Sequence, residues 1–273
     1  MLDRKNHISQ ISFIHANGFP PDTYKNIFKI IEQKYKINNF LLRPLLKNEK
    51  NYKTLKNWKL FYRDFLEYLE NNKFKNNVGI GHSIGGNIIL RTAILNPNYF
   101  SKIILLDPTL FTPLRNNLYK IILKLNLQNN FHPFLKHALN RKMKYKSYNE
   151  IFTSYRNKNI FKKIDDENLN QYIQSITKKS DDHINITYPK MWEYQIYKTG
   201  LIADDIIWRK IQNLKIPCLI IRAENSNAFL DSSESKIRKL NKNIKFIKIE
   251  NSTHLFPLEY PEKTANLILK ELK

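Results

Sequence analysis

"NVGIGHSIGGNIILRTA", residues 77–93, sets four glycines within eight positions around one serine, between an apolar run and a helical one. The apolar run predicts a short buried strand over 77–83, and the spacing beyond the serine predicts a helix over 84–97, stopped at Pro97. Gly81, His82, Ser83, Ile84 and Gly85 satisfy G-x-S-x-G, with Gly79 and Gly86 flanking. The bare pattern is common, and the strand before it and the helix after it give it weight. A sharp strand-to-helix turn holds the serine in a strained backbone region, where neighbouring positions tolerate little beyond glycine. The same turn exposes the hydroxyl and aims the free N–H groups of the helix's first turn at one spot, which can stabilise an oxyanion. Ser83 is therefore the candidate nucleophile.

Outward from this turn, short apolar runs alternate with amphipathic ones, as parallel strands joined by crossover helices require. Strands are expected over 8–15, 38–45, 77–83, 101–108, 216–223 and 243–250, all parallel. Helices are expected over 24–35, over 55–71 with Trp58, Phe61, Phe65, Leu66 and Leu69 near one face, and over 261–273 with Pro261 in the first turn. The fold class is α/β, a doubly wound, mainly parallel sheet of about six strands. Residues 110–210 carry aromatic residues and lysines at helical spacing with no convincing strand, and are expected to form a helical cap. The core is then 1–109 with 211–273, and the cap roofs the crevice beyond the carboxyl ends of the strands, where open α/β sheets bind ligands.

A serine hydroxyl needs a base to take its proton. His254 stands four residues past the last expected strand, on a loop at the edge to which Ser83 points, and is the candidate base. His7, His132, His137 and His183 read as surface or packing residues, His82 as pointing into the core, and His15 as a brace for the loop "HANGFPPDTY" (15–24). That loop leaves the strand beside the one bearing Ser83, and its small residues let backbone approach a reacting carbonyl. The N–H groups of Asn17 and Ile84 are the expected oxyanion hole.

The chain has 273 residues and a formal charge of +22, with its lysines scattered rather than gathered on one element. That scatter reads as a solvated surface, and no nucleic-acid-binding signature accompanies it, so no nucleic-acid partner is expected. One cysteine, Cys218, excludes an internal disulfide and suits a buried apolar site in a reducing compartment. The N-terminus lacks the apolar region of a signal peptide, no run approaches a membrane span, and a cytoplasmic location is expected. The sequons at 185–187 and 251–253 then read as chance matches. No cofactor and no metal are expected.

"HANGFP" after the first strand, "GHSIGG" at the turn, "LLDPTLF" leading into the helical insertion and "NSTHLFPLEYPE" near the end together resemble the α/β-hydrolase superfamily over nearly the whole chain. Their order matches that family's nucleophile, acid and histidine. Members usually begin with an antiparallel strand pair, whereas here only about seven residues come before the first expected strand, so a sheet trimmed to its parallel part is expected. The family's acid commonly lies just past the penultimate strand, where this chain reads "AENSNAF" with Asn227 at the expected position. An amide can hold an imidazole in place but cannot stabilise the imidazolium by charge. Asp107, ending the strand after the elbow helix, is the leading acid, as in certain haloalkane dehalogenases; Asp231, Glu224 and Asn227 are the alternatives. The resemblance implies a serine hydrolase acting on a small-molecule ester or thioester with an apolar acyl part. C–C bond hydrolysis and a binding member of the fold that has lost its chemistry are the competing expectations.

Overall fold

The computed structural model describes residues 10–48, 51–200, 202 and 204–273. The first half of the core runs β1 (Gln10–Ile14), α1 (Lys25–Ile31), β2 (Lys36–Phe40), α2 (Lys59–Asn71), β3 (Asn77–His82), α3 (Ile84–Leu95) and β4 (Phe100–Leu106). After a long insertion it resumes with β8 (Cys218–Asn225), α11 (Asp231–Leu240), β9 (Lys245–Thr253), α12 (Phe256–Glu259) and α13 (Pro261–Leu272). These six strands pair in the order β2-β1-β3-β4-β8-β9, every neighbour parallel. Positions 8 and 9 of the expected first strand lie outside the described residues. The expected second strand starts earlier and ends at Phe40, because Pro44 sits in a 3-10 turn over Arg43–Leu45.

Side-chain alternation splits the strands between two apolar layers. Along β4, Ile103 and Leu105 join Phe61 and Phe65 of α2 and Ile88 and Ile89 of α3, while Ile104 and Leu106 join Ile27 and Phe28 of α1 and Ile268 of α13. Both faces are covered, which is why β4 reads as a near-continuous apolar run. On α2, Trp58, Phe61, Phe65 and Leu69 are buried as the spacing predicts, and Leu66 is only half-buried.

Between β4 and β8 the insertion comprises α4 (Pro113–Lys124), α5 (Gln128–Phe131), α6 (Pro133–Leu139), β5 (Lys144–Tyr145), α7 (Tyr148–Arg156), α8 (Asp166–Ser175), β6 (Thr177–Lys179), β7 (Ile184–Ile186), α9 (Lys190–Thr199) and α10 (Asp205–Lys210). It is not wholly helical. Its three short strands form a separate antiparallel sheet ordered β5-β7-β6. Strands of two or three residues are too short to impose a period of two on the sequence, which is why the pattern reads as continuous helix.

Candidate active site

Parallel strands bring their carboxyl ends to one edge, and the chain uses that edge repeatedly. Ser83 comes directly after β3, Asp107 directly after β4, Asn17 lies just past β1, and His254 just past β9. Ser83 sits at φ 59°, ψ −119°, a conformation that costs an L-residue energy and survives only where its surroundings enforce it. Glycine makes the turn possible. A Cβ on Gly85 would lie 2.1 Å from the Ile14 carbonyl oxygen, and one on Gly81 would lie 2.4 Å from the backbone of Gly85. The turn is laced to β4 and the loop beyond it, with the Ser83 N–H donating to Leu106 O at 3.0 Å and the Thr109 N–H donating to Ser83 O at 3.0 Å.

The Ser83 hydroxyl lies 2.9 Å from His254 Nε2, and His254 Nδ1 lies 2.6 Å from Asp107 Oδ2. Asp107 is fully buried and accepts from the Ala223 N–H (2.9 Å), the Ser226 hydroxyl and the imidazole. A carboxylate on that side fixes the ring proton on Nδ1, which leaves the Nε2 lone pair to receive the serine proton. Of the four residues weighed as the acid, the fold brings only Asp107 to the imidazole. Asp231 is exposed and ion-paired to Arg222. Glu224 accepts from the Asn251 N–H at 2.8 Å, and Asn227 lines the cavity wall.

The remaining histidines divide by environment. His15 receives the Leu42 N–H on Nε2 (3.2 Å) and donates from Nδ1 to Ala16 O (2.8 Å), so it braces its loop as the sequence suggests. Burial lowers its pKa to about 4. His82 donates from Nε2 to the His254 carbonyl (2.9 Å) and receives the Tyr24 hydroxyl on Nδ1 (2.8 Å); Tyr24 in turn accepts the Ala16 N–H (3.2 Å). A buried chain of hydrogen bonds thus joins the first loop to the backbone of His254. Desolvation, reinforced by His254, holds His82 well below the usual histidine range. His132 packs against Tyr119, Phe134 and Tyr197, and His7 lies outside the described residues.

Asn17 is fastened from above. Its side chain donates to Glu193 O (3.2 Å) and accepts from the Tyr188 hydroxyl (3.0 Å), both in the insertion. Ile84 is the first residue of α3, so its N–H has no acceptor within the helix. Both residues border a cavity of about 560 Å³ that also meets Ser83 and His254, with Trp58, Phe111, Phe134 and Ile196 among its walls. Residues 188–200 serve both core and cavity: Trp192 is core, Ile196 is both, and Tyr197 is cavity wall.

The Ndr family's sequence model matches residues 46–272, about five-sixths of the chain. The chain belongs to the Ndr family. The matched span holds Ser83, Asp107 and His254 but not Asn17. No curated protein sequence matches. Among solved structures, E-2-(acetamidomethylene)succinate hydrolase is similar, with a TM-score of 0.75 at 13% identity, covering 96% of this chain and 90% of that one. A peroxisomal α/β-hydrolase from Saccharomyces cerevisiae gives a TM-score of 0.71 at 17% identity, with 97% and 76% coverage. An esterase from M. tuberculosis gives 0.74 at 14%, with 97% and 85% coverage. These likenesses establish the α/β-hydrolase fold for this Ndr family member.

Two site neighbours escape a reading of the sequence alone. Thr109 places its hydroxyl 3.0 Å from Ser83 Oγ, and Ser226 donates to Asp107 while receiving the N–H groups of Ala228 and Phe229. A signal for Thr109 is present, since it lies two residues past Asp107 in "LLDPTLF", beside the strand that carries Ser83. Ser226 has only its place beside Asn227. Among the described residues, no group of acidic, histidine or cysteine side chains could hold a metal ion.

Proposed function

We propose that the protein is a serine hydrolase acting on a small ester or thioester with an apolar acyl part. The observation that supports this is the continuous line from Ser83 Oγ through His254 (2.9 Å) to Asp107 (2.6 Å) at the floor of an apolar cavity. On this reading Ser83 attacks the acyl carbon as His254 Nε2 takes its proton. The oxyanion is held by the N–H groups of Ile84 and Asn17, each worth about 3 kcal/mol in the transition state. The imidazolium, steadied by Asp107, returns its proton to the departing alkoxide or thiolate and leaves an acyl-serine. Water activated by the same imidazole then releases the acid. The acyl chain lies against Trp58, Phe111 and Phe134.

A fluorophosphonate reagent is expected to label the wild type and not Ser83→Ala. Hydrolysis of short-chain esters is expected to fall about 10⁴-fold or more in that variant. A wild type that is neither labelled nor active on esters and thioesters of graded acyl length would sink the reading.

A further inference from the structure

Helix α4 leaves its apolar side uncovered. Leu114, Leu118, Ile121 and Leu125 recur at spacings of four, three and four, one stripe along a helix, and each is between 52 and 71% exposed. The opposite side, with Asn116 and Tyr119, is the buried one. Phe131 at the end of α5 is 64% exposed and extends the patch. Leu118, Ile122 and Phe131 also line the cavity above Ser83, so the patch runs into the cavity's rim.

The surroundings of this stripe are cationic. Between Asp107 and Glu150 the sequence has eight lysines and arginines and no aspartate or glutamate. Lys120 is ion-paired to Asp205 of α10 at 3.0 Å. Arg115 and Lys124 flank the stripe on either side, and Lys136 comes next on α6; all three are exposed and have no ion pair among the described residues. An apolar stripe bordered by cations is the pattern of a helix that lies in the plane of an anionic lipid surface, with leucines among the acyl chains and cations at the headgroups. Self-association through the same face would set like charges against each other, since α4, α5 and α6 carry no acid of their own in either copy.

We infer that the α4–α5 face docks the protein on anionic phospholipid bilayers, with the cavity rim against the lipid. It lies on the surface rather than spanning it: no helix among the described residues is long and apolar enough to cross a membrane. The inference stands apart from the hydrolase reading, because it concerns binding alone.

Vesicle flotation tests it, using the full chain with phosphatidylcholine vesicles and with phosphatidylcholine–phosphatidylserine vesicles. Wild type is expected to float with the second and not the first, and to release as salt is raised. Generic attraction of a +22 chain would behave alike, so the decisive variant keeps the charge. Leu114→Ser, Ile121→Ser and Leu125→Ser combined should bind at least about tenfold more weakly, each exposed leucine or isoleucine losing its transfer from water. Lys124→Ala and Lys136→Ala should each cost roughly fivefold. Circular dichroism and melting of the variants should match wild type, since the altered side chains are exposed. Failure of wild type to float with phosphatidylserine overturns the inference. So does a serine variant that floats as well as wild type, or a wild-type dimer that the serine variant converts to monomer.

Discussion

Asp107 combines two features that rarely meet in one residue, a left-handed backbone (φ 41°) and complete burial of a carboxyl beneath three donors. With Ser83 at φ 59°, two members of the line from serine to acid sit in strained backbone. The charge and acceptor character of Asp107 set the tautomer of His254, so Asp107→Asn is the most informative single change. An amide that donates to Nδ1 pushes the ring proton to Nε2, where it blocks transfer from Ser83. On the proposed function, kcat/KM for an ester should fall about 10⁴-fold with the fold retained; a loss of less than tenfold would mean that Asp107 does not govern the imidazole. The elbow glycines and the serine were legible here because a chain with only six glycines places four of them around Ser83. Asp107 was one of several open possibilities, since nothing local distinguishes a strand-end aspartate that meets a histidine from one that caps a turn.

At the scale of elements, the return of the insertion to the core is tied by Asp204, at the head of α10, to α3. Its carboxylate receives the Asn87 side-chain amide at 2.9 Å and lies 3.8 Å from Arg91, all three residues buried. Asn87 also donates to Thr109 O at 2.8 Å, so the same contact reaches the residue beside Ser83. Asp204→Ala is expected to cost about 3 kcal/mol of unfolding free energy, read from urea titration, by removing the acceptor from a buried amide and guanidinium. Asp204→Asn keeps an oxygen in place and should cost clearly less; equal losses would show that shape rather than the polar contact holds the helix. None of this tie is visible in sequence, where nothing local sets Asp204 apart from Asp205 beside it.

For the whole molecule, burial sets two opposed pH responses. His15 titrates near 4 when folded against an ordinary 6.5, so unfolding takes up a proton and stability falls as pH drops from about 6.5 toward 4. Asp204 is pushed up to about 7 by burial against an ordinary 3.8, so unfolding releases a proton and stability falls as pH rises from about 3.8 toward 7. Between about pH 5 and 7 each is worth about 2 kcal/mol, with opposite sign, and the two nearly cancel. His82, depressed like His15, tilts the balance toward greater stability at neutral pH. Urea unfolding at both pH values should therefore show Asp204→Asn gaining about 2 kcal/mol more than wild type on going from about pH 5 to 7, and His15→Gln gaining about 2 kcal/mol less. Variants that keep the wild-type slope would mean that neither group changes its protonation on folding.

By itself the sequence determined the six strands and their shared direction, the strand-turn-helix around Ser83, the amphipathic face of α2 and the edge at which His254 arrives. All of these come from periodicity and from glycine or proline at fixed places, which are local properties of the chain. Only the tertiary structure decided that Asp107 meets His254, that Thr109 and Ser226 stand beside the pair, that the insertion holds a small sheet, and that the apolar side of α4 is bare. Most of those depend on where residues far apart in the chain come to rest. A leucine that faces a core and one that faces solvent have the same spacing in the chain.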